Sequence, residues 1–258
     1  MAISLRSRRE IELLRRAGAV VADVLSKLQE VIEPGISTGE LSELAERITA
    51  EHGAMGLFKG VRSPYAKQPF PAVICSSLNE QVVHGIPSHD VEVNAGDILS
   101  IDYGCRLDGY CGDAAITVPV GKISDENKRL IDVTRHALEI AIEKSRPGVK
   151  WSHVAGAMQR YAEGAGFSVV KDYVGHGIGK EMHEEPRVPN FVSEELLAND
   201  TILAEGMVLA VEPMINAGSH EVRTLKDGWT VVTRDGKCSA HFEHTIAIVK
   251  GGCEVLTL

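Results

Sequence analysis

Two aspartates flank a turn in the stretch Ile98–Val118, ILSIDYGCRLDGYCGDAAITV. Asp108-Gly109 between runs of aliphatic and β-branched residues is a strong hairpin signal, because both central residues of a type I′ turn need positive φ. With those two residues as the loop, Leu107 faces Tyr110 and Asp102 faces Ala115. Asp113 then projects from the same face as Asp102. Diagonal neighbours of this kind lie roughly 7–8 Å apart at the backbone, within reach of one cation. A plainer alternative makes Asp113 a turn cap and puts Asp102 on a solvated face. The apolar neighbours Ile98, Leu99 and Ile101 weigh against it, since an unpaired carboxylate among them is costly. On the hairpin alone the two alternatives stand level.

The pattern recurs downstream. Gly96-Asp97-Ile98-Leu99-Ser100-Ile101-Asp102 matches Gly206-Met207-Val208-Leu209-Ala210-Val211-Glu212, and Asp113 with Ile116, Val118 and Gly121 matches Glu243 with Ile246, Ile248 and Gly251. Pro34-Gly35-Ile36 and the run to Gly53 match Pro147-Gly148-Val149 and the run to Gly166, and His84-x-x-Pro87 matches His183-x-x-Pro186. Repeats in a shared order point to two α/β halves about a pseudo-two-fold axis, approximately 30–121 and 145–251, inside one catalytic domain spanning 1–258. Each half has helices on an antiparallel sheet and supplies acids at the same two places. Asp102, Asp113, Glu212 and Glu243 therefore converge on the axis. Four like charges in one cleft repel unless neutralised. Two divalent cations would balance them, with Asp113 and Glu243 suited to bridge both in a two-metal clamp.

Three histidines belong with these acids. His176 lies in Val174-Gly175-His176-Gly177-Ile178-Gly179, where flanking glycines remove bulk and permit unusual φ/ψ, so that an imidazole can enter a tight cavity. The run lacks the Lys-Ser/Thr of a phosphate loop and the GxGxxG spacing. His84 and His183, at repeat-related places beside an acidic cluster, read as catalytic candidates. His244 points to the opposite face from Glu243 in a strand and reads as structural.

The elements that must position these groups are legible in part. Arg8–Val31 has apolar residues at helical spacing with Ser7 as N-cap, and Ser37-Thr38-Gly39-Glu40 opens a second helix as a capping box and runs to Gly53. Leu57–Phe70 reads as a loop, and Ala72–Ser76 and Gln81–Val83 as short strands. Ser124 caps a helix to about Lys144, ended by Pro147-Gly148, and Trp151–Gly164 is another helix.

A chain of 258 residues with net charge −9 buries a large core, and no basic stripe marks a nucleic-acid partner. The arginines of Arg6–Arg16 interleave with Glu10, Ile11, Leu13 and Leu14, as on one amphipathic helix. Cys75, Cys105, Cys111, Cys238 and Cys253 form no CxxC and, without a signal peptide, are expected as reduced cytoplasmic thiols. No run is long enough to span a membrane.

With these residues assembled, the chain resembles a type I methionine aminopeptidase of the bacterial, extension-free kind. The likeness runs from Glu10-Ile11 to Glu243-His244-Thr245. It includes Asn79-Glu80-x-x-x-His84-Gly85-Ile86-Pro87, the Asp102 to Asp113 spacing, Gly175-His176-Gly177-Ile178-Gly179, His183-Glu184-Glu185-Pro186, Glu212-Pro213-Met214 and Asp227-Gly228-Trp229-Thr230. The resemblance implies the duplicated "pita-bread" α/β fold. It also implies removal of the initiator methionine from nascent chains whose second residue is small.

By resemblance, Asp102 holds one metal through both oxygens, Asp113 and Glu243 bridge to a second, and His176 and Glu212 complete that second ion's ligand set. A metal-bridging water or hydroxide attacks the scissile carbonyl, since metal binding lowers a water's pKa from 15.7 toward ~7. Glu212 passes the proton to the leaving amine, His183 stabilises the oxyanion, and His84 hydrogen-bonds around the scissile nitrogen. Cys75, Phe70, Trp229 and Met182 occupy the methionine-pocket positions, where sulfur and aromatic faces suit a thioether. The two ions are Co, Mn, Fe or Zn. The expected partners are nascent N-termini, with the ribosome as a candidate dock, no nucleic acid and no membrane; a monomer is expected. Met1-Ala2 would make the chain's own N-terminus a substrate. Cys111, where many members carry His, His241, where Gln is usual, and the Pro64–Gln68 rim depart from the family pattern. The absence of a zinc-binding extension and of a helical insertion agrees with type I. The competing expectation is an Xaa-Pro aminopeptidase or prolidase of the same fold, which would carry a large extra N-terminal domain. A further one is a non-catalytic binding protein, which would tend to lose metal ligands.

Overall fold

Asp108 and Gly109 take φ of 51° and 82° and fold strand Ile98–Leu107 onto Tyr110–Pro119, with Leu107 opposite Tyr110 and Asp102 opposite Ala115. The type I′ turn thus sets the expected register. The structure is a computed structural model and describes residues 3–258, so the Met1-Ala2 expectation lies outside the described residues.

This hairpin is the spine of a nine-stranded antiparallel sheet. Its neighbours in order are Met55–Gly56, Ile98–Leu107, Tyr110–Pro119, Glu243–Val249, Val208–Val211, Gly175–Gly177 and Glu184–Val188. Cys75–Leu78 pairs with Ile98–Leu107, and Gly252–Val255 with Glu243–Val249. Two three-stranded sheets complete the β-structure, one of them joining Gln81–Val83 to Val231–Thr233 and Val222–Thr224.

Alternate residues of the central strands face opposite ways. Leu99, Ile101 and Tyr103 pack with Val20, Val21, Leu25 and Leu28 of α1 (Arg8–Val31) and Leu41 and Ile48 of α2 (Thr38–Glu51). Leu209, Val211, Ile246 and Ile248 pack with Leu130 and Leu138 of α3 (Asp125–Lys144) and Trp151 and Met158 of α4 (Trp151–Gly164). Helices therefore cover the outer face, and the carboxylates leave the inner one.

Helix ends follow their caps. Ser7 and Ser37 each accept from the amide three residues on, while Glu10 and Glu40 bond back to the cap amides. Ser124 accepts from the Asn127 amide. Lys150 offers no cap bond; instead Asp200 accepts from the Ser152 amide and hydroxyl. A short helix, α5 (Glu194–Ala198), has no counterpart in the sequence expectation.

The strand expected at Ala72–Ser76 is instead Cys75–Leu78. Its partner edge is shared: Cys75–Leu78 pairs along Leu99–Asp102, while Met55–Gly56 pairs at Cys105 and Arg106. Ala72–Ile74 stays outside the ladder. Gly35, Gly53, Gly96 and Gly121 and their counterparts Gly148, Gly166, Gly206 and Gly251 all have φ between 60° and 104°. The Gly35 amide bonds to Val93 O and the Val93 amide to Ile36 O, as Gly148 does to Leu203 and Leu203 to Val149. Among the described residues all five cysteines are free thiols, and no helix is long and apolar enough to cross a membrane.

Candidate active site

Five successive strands each deliver one group to the inner face. Asp102, Asp113 and Glu243 come from three adjacent strands, Glu212 follows directly on Val208–Val211, and His176 is the centre of Gly175–Gly177. Registers align them: Glu243 pairs with Ala115, while Thr245, Ala210 and His176 form one row across three strands. Thr245 Oγ1 accepts from the Asp113 amide (3.1 Å) and donates to the Asp113 carbonyl (2.8 Å), which anchors that residue's backbone.

One ligand atom each from Asp113, His176 and Glu243 lies within 4.8 Å of the other two. His176 Nε2 is 3.6 Å from Glu212 Oε1 and 3.9 Å from Asp113 Oδ2. Its Nδ1 is 3.0 Å from Gly177 O, an acceptor, so Nδ1 carries the proton and Nε2 presents its lone pair to the acids. Burial pushes Asp102 up to about 7. Burial and then mutual repulsion raise Asp113, Glu212 and Glu243 well above the usual carboxylate range. Asp102 Oδ1, Asp113 Oδ1 and Glu243 Oε1 are buried with no hydrogen-bond partner. Orphaned acceptors clustered around a ring nitrogen fit divalent cations, which accept oxygen and imidazole ligands together.

Of the two roles expected of the glycines around His176, absence of bulk holds and unusual φ/ψ does not. Neither Gly175 nor Gly177 has a positive φ; a β-carbon there would overlap the Ala210 or Glu185 carbonyl. Close backbone approach is what requires glycine.

The acids open into a cavity of about 130 Å³ whose other end is apolar. Phe70, Cys75, Met182 and Trp229 line it with His84 and His183. Phe70 and Trp229 meet edge to face at 5.3 Å, and Trp229 Nε1 donates to Gln68 O at 3.0 Å. His84 has φ of 59° and stands edge-on to Tyr173; burial holds it down at about 4. The His183 and His176 rings lie 4.3 Å apart, and burial, then the neighbouring His183 imidazole, holds His176 at about 4. Every site residue expected from sequence lines this one cavity.

The profile of Metallopeptidase family M24 matches residues 12–250. The chain belongs to metallopeptidase family M24. It falls with the methionine aminopeptidases of that family. Methionine aminopeptidase 1 of Bacillus subtilis is 48% identical over 249 residues, 96% of each chain. The crystal structure of methionine aminopeptidase from Thermotoga maritima matches with a TM-score of 0.93 at 39% identity over 99% of each chain, so the fold is the pita-bread fold of that enzyme. Prolidase from Pyrococcus furiosus, at 21% identity and a TM-score of 0.75 over 98% of this chain and 65% of its own, shares the fold alone.

Three residues of this M24 site escaped the sequence reading of it. Phe58 and Val61 line the cavity from the Leu57–Phe70 loop, whose lack of periodicity hid them; their apolar character among turn residues was the one signal. His241, noted from sequence only as a departure, is buried with Nε2 unpartnered, 3.9 Å from Glu212 Oε2 and 4.0 Å from Glu243 Oε2. His244 faces away, bonded to Thr257 Oγ1 at 2.9 Å, and Cys111 contacts Lys180 O off the cavity.

Proposed function

We propose that this M24 metallopeptidase removes the N-terminal methionine of nascent polypeptides whose second residue is small. One observation carries the reading: a buried acid–imidazole cluster opens into a small cavity lined by Phe70, Cys75, Met182 and Trp229. At about 130 Å³ the slot is well under the roughly 300–1,000 Å³ of ordinary ligand pockets, and so takes one side chain. Phe70, Cys75, Met182 and Trp229 would hold the thioether, leaving the scissile amide at the acidic end.

In this reading Asp102, Asp113, His176, Glu212 and Glu243 hold two divalent ions, drawn from Mn, Fe, Co or Zn. Such ions supply Lewis acidity at the carbonyl and an activated water. Glu212 carries the water's proton to the leaving amine. His183, kept neutral by burial, donates to the carbonyl oxygen as charge builds there. His84, also neutral, hydrogen-bonds around the scissile nitrogen. The same reading treats 1–258 as one catalytic domain of two halves, 30–121 and 145–251. The paired hydrogen bonds at Gly35 and Gly148 support it.

The test is hydrolysis of Met-Ala-Ser by metal-stripped protein titrated separately with Mn, Fe(II), Co and Zn, with Glu212→Ala alongside. Activity restored by metal and lost in the variant is expected. Inactivity with every metal, or cleavage of Xaa-Pro peptides with Met-Ala-Ser left intact, would overturn the proposal.

A further inference from the structure

Met182 and His183 reach the cavity from the short loop between Ile178 and Glu184, but neither of them anchors it. Glu184 does. Its Oε1 accepts from the Lys180 amide (2.9 Å) and the Glu181 amide (3.2 Å), and its Oε2 accepts from the Arg6 guanidinium. Arg6 was expected on the same amphipathic helix as the neighbouring arginines. Instead it lies ahead of α1 with its side chain only 9% exposed, while Arg8 and Arg9 face solvent. The Arg6 amide donates to Gly206 O at 2.7 Å, and the guanidinium crosses Gly179, where a β-carbon would overlap it. Gly179 is the last glycine of the run that carries His176. The segment before α1 is thus bonded at Gly206, just ahead of Val208–Val211, and sets its cation against Gly179 and Glu184 at the base of the His183 loop.

We propose that Arg6 is a positioning residue for the reaction, acting through Glu184 to set where His183 and Met182 stand. The inference rests on the role assigned to His183 above. A planar guanidinium against a carboxylate fixes angle as well as distance, which an ammonium does not. With Arg6 removed, Glu184 is left as a half-buried charge that turns toward water and releases the two amides it holds. The far end of the loop stays tied, because the Cys111 amide bonds to Gly179 O at 2.8 Å and Arg106 bonds to Glu181. The loop therefore shifts rather than unfolds. His183 moves with it.

The experiment compares Arg6→Ala, Arg6→Lys and Glu184→Gln in the full chain, loaded with whichever metal activates the wild type. It reads kcat and KM on Met-Ala-Ser and amide hydrogen exchange across 179–184. Arg6→Ala should lower kcat by about tenfold to a hundredfold, as displacement of a reacting group near 1 Å does. KM should rise less than kcat falls, since His183 acts in the transition state while Met182 is one of four side chains around the thioether. Exchange should quicken at Lys180 and Glu181 and nowhere else. Glu184→Gln, nearly isosteric, should reproduce both effects and serves if Arg6→Ala does not fold; Arg6→Lys should recover part of kcat. Kinetics and exchange unchanged within twofold, or exchange rising evenly along the chain, would overturn the proposal. A wild type that leaves Met-Ala-Ser intact would overturn the functional reading instead, and the exchange comparison would still judge the clamp.

Discussion

Asp102 and Glu243 sit on strands that never touch, yet both lie in register with the same residue, Ala115. The two carboxylates therefore face each other across one intervening strand, with Asp113 two residues along it. Without cations this placement costs stability, and pH sets how much. Asp102, raised to about 7 from 3.8, favours the fold below its unfolded pKa and loses that contribution as pH rises through 7; the three other acids continue the loss above it. His84 and His241, held near 4 and 3 from 6.5, work the other way: their contribution is full above 6.5 and is lost as pH falls through those values. Between pH 6.5 and 8 only the acids still change. Thermal melts of chelated protein should fall over that window, and manganese should abolish the slope. A flat apo profile would contradict the raised values.

The same protonation makes metal uptake release protons near neutral pH. Calorimetric heats of manganese binding at pH 7 should depend on the buffer's ionisation enthalpy, with net protons liberated. Heats independent of buffer would mean the acids are already ionised.

His183→Ala should lower kcat on Met-Ala-Ser by about 10²–10³-fold, the usual loss of one donor to a developing oxyanion. Its metal content, read by elemental analysis, should match wild type, because His183 is not among the proposed ligands. Loss of metal in the variant would move His183 into the ligand set.

Trp229→Leu should act on binding. The ring closes the apolar end through its contact with Phe70 and its bond to Gln68 O. KM should rise about tenfold or more with kcat little changed, the pattern of lost uniform binding. A pure kcat defect would place Trp229 elsewhere in the reaction.

Two glycines give a matched comparison in stability. Gly175→Ala drives a methyl into the Ala210 carbonyl and should cost about 1–3 kcal/mol by displacing a packed strand. Gly164→Ala, in the last turn of α4 with open space around it, should gain about 0.4–1 kcal/mol. Denaturant midpoints of the two variants should move in opposite directions.

Residues whose cause is local were legible in the chain. Ser7, Ser37 and Ser124 start helices where their hydroxyls meet a free amide, and Asp108-Gly109 turns because its φ values demand it. The repeat carried the acids across long separations, since each half places them by the same alternation. What escaped depends on neighbours distant in sequence. Cys75–Leu78 and Met55–Gly56 share one edge of Ile98–Leu107, a pairing between segments distant in sequence. Gly177 is glycine because a carbonyl from Glu185 passes over it, which no local pattern encodes. Phe58, Val61 and the buried Arg6 owe their places to the same kind of contact.

Delivery of the five proposed ligand groups by five neighbouring strands also bears on when this protein can first act. The groups span positions 102 to 243, and Glu243 inserts between the strands that bear Asp113 and Glu212. A growing chain that has not yet contributed that strand has a gap at the middle of its sheet and an incomplete set of the proposed ligands. Such long-range pairing forms late in folding. Peptide-bond cleavage is thereby expected only once synthesis has passed residue 243.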